Sequence, residues 1–149
     1  MTRIGIAVLL ALGFMLVGCG SSNSPQTING NWTATLTGTQ SFTFIATLEQ
    51  GSNPTVTVTN LSLTSAMPCF NSSFAPESAT YTSNGIVNGN ITGPFSLTIT
   101  TLFPAQPQNV LTLQGNVNGA TIMGTWTMSG GASTGCAAAG SGNFTMNRN

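Results

Sequence analysis

The chain has 149 residues, of which 3% are charged: two Lys plus Arg, two Asp plus Glu and no His, for a formal net charge of zero. Nucleic-acid binding needs clustered Lys and Arg, and here only Arg3 and Arg148 exist. Acid-base catalysis, activated nucleophiles and metal ligation draw on His, Asp, Glu, Lys, Tyr and Cys; the pool is Glu49, Glu77, Tyr81 and three cysteines, which predicts a non-enzyme with no metal or other cofactor.

In chain order, the first element is a charged Arg3 followed by an apolar run from Ile4 to Val17. A membrane-spanning helix needs about 20 apolar residues, so this shorter run reads as the core of a signal peptide over residues 1–18. It ends in Leu16-Val17-Gly18-Cys19, which resembles the lipobox of bacterial lipoproteins at every position. The resemblance implies a diacylglycerol on the Cys19 thiol, cleavage before Cys19 and acylation of the new amino group. Two acyl chains give stable anchoring where one gives marginal binding. In that family an Asp directly after the cysteine retains the protein in the inner membrane; Gly20 stands there instead, so the expected location is the outer membrane of a bacterial cell envelope. Residues 19–28, rich in Gly and Ser with a Pro, read as the lipidated cysteine and a flexible tether, and residues 29–149 as a single all-β domain.

From Asn31 onward the text alternates apolar and polar residues, the pattern of half-buried antiparallel strands. The runs are "NWTATLT" (Trp32, Ala34, Leu36), "SFTFIATL" (Phe42, Phe44, Ala46, Leu48, with Ile45 out of phase), "TVTVTNLSL", "FSLTIT", "VLTLQGNV", "TIMGTWTM" and "NFTM". In "TVTVTNLSL" the phase changes around Asn60, from Val56 and Val58 to Leu61 and Leu63, which predicts a bulge or a corner. Asn118-Gly119 between two such runs predicts a tight hairpin. Asn84-Gly85 and Asn88-Gly89 are too close for both to close full hairpins, so one is expected to be a turn and the other a glycine within a strand. Residues 67–78 and "LFPAQPQN" read as loops. About eight short strands with frequent turns predict an all-β barrel or sandwich.

At the two ends of this domain, Gly30-Asn31-Trp32 and Arg148 resemble the opening G-x-W and the closing basic residue of lipocalins and their calycin relatives. The resemblance implies a small antiparallel up-and-down barrel, with Arg148 stacked across Trp32 in a cation-π contact. Gly124-Thr125-Trp126 is a second G-x-W, and the remaining lipocalin sequence blocks are missing. An immunoglobulin-like β-sandwich is the alternative fold.

Cys69 and Cys136 are an even pair in a chain that its signal sends out of the cytoplasm, where disulfides persist. Pairing would close a long loop and contribute about 4 kcal/mol in the chain-entropy account; two buried free thiols are the alternative. Glu49 and Glu77 are either a carboxylate pair of the glycosidase kind or two isolated solubilising charges. Five N-x-[ST] matches, at Asn31, Asn60, Asn71, Asn90 and Asn143, arise by chance in a bacterial chain rich in Asn and Thr. Two functions follow. One is an envelope lipoprotein, held to the membrane through Cys19, whose β domain is structural or contacts another envelope protein. The other is a carrier for a small apolar or neutral ligand lined by Phe42, Phe44, Trp126 and Met128, residues that also suit a plain core.

Overall fold

The computed structural model describes residues 27–64, 77–100, 110–129 and 139–149. These form nine strands: β1 Gly30–Gly38, β2 Phe42–Gln50, β3 Thr55–Leu63, β4 Glu77–Tyr81, β5 Ile86–Val87, β6 Asn90–Ile99, β7 Val110–Asn118, β8 Thr121–Ser129 and β9 Gly140–Arg148. Each barrel strand pairs antiparallel with its sequence neighbour, β4 reaches past the two-residue β5 to pair with β6, and β1 pairs with β9. The sheet therefore closes on itself as an eight-stranded up-and-down barrel with β5 as an added strand.

The sandwich alternative is ruled out by two of these pairings. A sandwich needs two sheets with free edges facing each other, whereas β1–β9 runs in register from Trp32↔Arg148 to Gly38↔Gly142, and β4–β6 joins the rest at Ala79↔Leu97 and Tyr81↔Phe95. Closure removes the unpaired edges that an open sheet would expose.

Alternation decides which side chains fill the interior. Trp32, Ala34 and Leu36 of β1 face inward, as do Phe42, Phe44, Ala46 and Leu48 of β2, while the intervening threonines meet solvent. Ile45, out of phase in the sequence, points outward and is partly exposed. The phase change in β3 is a bulge: Thr47 pairs with Asn60 and Leu48 with Val58, so Thr59 is an extra residue, and Leu61 returns to the interior. Eight strands leave room for little more than their own side chains. Large and small residues accordingly alternate across the wall. A Cβ built on inward Gly115 would lie 3.0 Å from the Phe144 ring, and one on Gly140 would lie 3.0 Å from the Trp126 ring. The glycines make room for the aromatics.

The hairpins settle the turn expectations. Asn88 and Gly89 both have positive φ, 52° and 82°, as a type I′ turn requires, and they close the β5–β6 hairpin. Gly85, with φ 91°, precedes β5 and so lies outside any strand. In the β7–β8 hairpin Asn118 pairs with Thr121, so the two-residue loop is Gly119-Ala120, one position later than the Asn-Gly text suggests. Positive φ at Gly119 alone fits a type II′ turn.

The two ends of the barrel differ. At one end lie the start of β1, the short turns after β2 and β7, the β5–β6 hairpin and Arg148. At the other lie Gly38–Phe42 and the strand ends that flank residues 65–76, 101–109 and 130–138. We call these the closed end and the loop end.

Candidate functional site

The closed end is built by the two chain termini of the domain. Ile28, at the end of the sequence-predicted tether, is fully buried, and its carbonyl accepts a hydrogen bond of 2.9 Å from Trp32 Nε1. A buried indole N–H needs such an acceptor. Arg148 Cζ lies 4.9 Å from the centre of the Trp32 ring, and Arg148 Nη2 donates to the Thr27 carbonyl. The guanidinium thus clamps the incoming chain and covers the indole at once. Partial burial lowers the pKa of Arg148 from its ordinary value, because desolvation disfavours the charged form. Asn149 N–H donates to the Asn31 carbonyl at 2.9 Å, and Gln50 N–H donates to Asn29 Oδ1 at 2.6 Å, so residues on both sides of Trp32 are tied to the barrel rim.

The four residues proposed from sequence as a ligand lining are all buried. Phe42 and Phe44 stand on β2, Trp126 and Met128 on β8. Strands β1 and β9 separate β2 from β8 in the wall, so a contact between the two sets crosses the interior. Phe42 and Trp126 make that contact edge to face, with centroids 5.9 Å apart and planes at 71°. Trp126 Nε1 donates to the Thr37 carbonyl at 3.0 Å, which fixes the ring beneath the loop end. The arrangement is an aromatic layer across the barrel, packed into the same core as Trp32 and Phe144.

The two carboxylates are not brought together as a pair. Glu49 pairs with exposed Thr57 and faces outward, accepting a 3.3 Å hydrogen bond from Thr59 Oγ1. Glu77 pairs with inward Val58 and is buried, with its Oε1 accepting from Thr100 N–H at 2.8 Å. They lie on opposite faces of the wall. Tyr81 is buried and donates through its hydroxyl to the Thr92 carbonyl at 3.1 Å. Among the described residues no group of three or more His, Cys, Asp or Glu comes together that could hold a metal ion. Cys19, Cys69 and Cys136 lie outside the described residues.

The outer surface carries a further feature. An open groove of about 450 Å³ runs along the outer wall between β4, β6 and β7, edged by Thr80, Thr82, Pro94, Ser96, Gln114 and Asn116. Its lining is uncharged and mixes polar with apolar surface, Phe95 and Gly115 contributing beside the outward residues, and strand alternation gives no hint of it.

Fold and closed-end geometry together define a small up-and-down β-barrel, sealed at one end by Arg148 and the segment that leads into β1, with the strand ends that flank residues 65–76, 101–109 and 130–138 at the other. No protein-family model, curated protein or solved structure matches the chain, so its relatives are not identified by comparison.

Proposed function

We propose that the protein is a bacterial envelope lipoprotein, anchored through lipid on Cys19, whose barrel has a non-catalytic structural or interaction role. The observation that carries this reading is Leu16-Val17-Gly18-Cys19 at the end of a short apolar run. The non-catalytic part is supported by the scarcity of ionisable side chains and by Glu49 and Glu77 standing on opposite faces of the wall. Replacing Cys19 with Ser tests the anchor. The variant should leave the membrane fraction or accumulate as uncleaved precursor; a cleaved variant that stays membrane-bound contradicts the reading.

A second reading, a lipocalin-like carrier of a small apolar or neutral ligand, is favoured by Arg148 stacked 4.9 Å over the Trp32 of Gly30-Asn31-Trp32 in a closed barrel. Phe42, Phe44, Trp126 and Met128 would then meet the ligand. Native mass spectrometry of the domain from Ser21 onward separates the two. Added mass lost on denaturation supports the carrier, and the bare polypeptide mass supports the self-filled domain.

The Cys69–Cys136 disulfide belongs to the same account. The strand ends that flank the two segments, Leu63 and Glu77 for one and Ser129 and Gly140 for the other, all lie at the loop end. Non-reducing peptide mapping of periplasmic material should recover the linked pair, and two alkylatable thiols would contradict it.

A further inference from the structure

We propose that the closed end of the barrel faces the membrane and that the β5–β6 hairpin, through Ile86 and Val87, touches the bilayer interface. The proposal rests on the lipoprotein reading and adds an orientation and a second contact to it.

The first observation is where the anchored chain arrives. Thr27, whose carbonyl is held by Arg148 at the closed end, lies eight positions after the lipidated Cys19. Eight residues span at most about 28 Å when fully extended. The nine-residue strands rise about 3.3 Å per residue and tilt by about 40°, so the wall stands roughly 23 Å tall. Resting the loop end on the bilayer would therefore draw the tether along the whole barrel at nearly full stretch. With the closed end down, almost none of that length is needed.

The second observation is what that end displays. In the described residues the exposed large hydrophobics are Ile45, Ile86, Val87 and Met123. Ile86 and Val87 are 55% and 53% exposed, and as consecutive strand residues they point to opposite faces. Among the described residues β5 pairs only with Asn90 and Ile91 and has no strand on its other side, which leaves both side chains in solvent. The hairpin thus projects from the closed end with an apolar pair next to its Asn88-Gly89 tip. Residues 82–91 carry no charge that would oppose contact with lipid headgroups. Met123, on the outer face of β8, lies two residues inside the same end. Two or three apolar side chains would not hold a protein at a membrane alone; beside a lipid anchor they set which end faces it.

The test uses the full lipidated chain in phosphatidylcholine vesicles with and without brominated acyl chains, which quench tryptophan at short range. Native Trp32 and Trp126 are both fully buried and give a constant background. Val87→Trp places a reporter on the hairpin, Ile86→Trp repeats it one residue away, and Ser41→Trp places the same reporter in the exposed turn of the loop end. The expected result is a blue shift and loss of emission for Val87→Trp and Ile86→Trp in brominated vesicles, with no loss for Ser41→Trp. Equal quenching at both ends, or none at the hairpin, overturns the proposal. Intact mass of each preparation is read first. Without lipid on Cys19 the lipoprotein reading fails and the proposal with it; with lipid present and the hairpin unquenched, the orientation alone fails.

Discussion

Replacing Arg148 with Ala should loosen the closed end by a measurable and dissectable amount. Three contributions are lost. The cation-π contact with Trp32 is worth about 1 kcal/mol at a partly exposed site, within the usual 0.5–2. The charged hydrogen bond to the Thr27 carbonyl is worth about 1.5 kcal/mol at the low end of its range. The aliphatic stem also packs beside Gly30, where a Cβ would meet Arg148 Cγ and Cδ at 3.9 Å. One contribution runs the other way: Arg148 Nε is buried with no hydrogen-bond partner among the described residues, and its removal returns roughly 1 kcal/mol. The net loss is about 2 kcal/mol, which at about 4 °C per kcal/mol for a domain of this size lowers Tm by about 8 °C. Arg148→Lys keeps the charge and loses the forked donor set, so it should fall between the two. A double-mutant cycle with Trp32→Phe, read by urea unfolding, should show a coupling of about 1 kcal/mol. A coupling near zero, or an Arg148→Ala loss below about 0.5 kcal/mol, would mean that the clamp is not what seals this end.

Gly142→Ala should be worse tolerated than any exposed substitution. A Cβ there would meet the Thr37 carbonyl oxygen and sit 2.8 Å from Gly38 Cα, both backbone atoms across the β1–β9 seam, so a loss of about 3 kcal/mol or failure to fold is expected in thermal melts. Phe42→Ala should cost about 3–5 kcal/mol and change the near-ultraviolet circular dichroism of Trp126, because the ring is core and its edge-to-face partner is lost. A loss below 1 kcal/mol would instead suit a residue facing a void. With no histidine in the chain, the side chain that normally titrates near neutrality is missing, so Tm should stay flat between about pH 6 and pH 8. A clear slope in that range, read by calorimetry across the pH series, would contradict this expectation.

Most of the barrel was legible because half-buried strands write themselves as alternation. The runs holding Trp32, Phe44, Leu113 and Trp126 were readable for that reason, and the bulge at Thr59 showed as a change of phase. The strand that decides barrel against sandwich was not readable. In β4, "ESATY", the inward positions are Glu77, Ala79 and Tyr81, so a carboxylate occupies an interior place and no apolar alternation appears. Its burial is made possible by Thr100, a partner supplied from the end of β6 that no local pattern reveals. Ile28 likewise falls in tether-like text, because a single apolar residue after polar text carries no period; its carbonyl is met by Trp32 Nε1, and the preceding Thr27 carbonyl by Arg148 from far along the chain. The outer groove depends on how three strands curve past one another, and residue type alone does not record curvature.

The most direct measurement of the central claim is the intact mass of the protein extracted with detergent from the membrane fraction of the cells that make it. The expected species is a polypeptide that begins at Cys19 and carries the mass of a diacylglyceryl group and a further acyl chain. A chain recovered without lipid on Cys19, whether it keeps Met1 or is cut elsewhere, would contradict it.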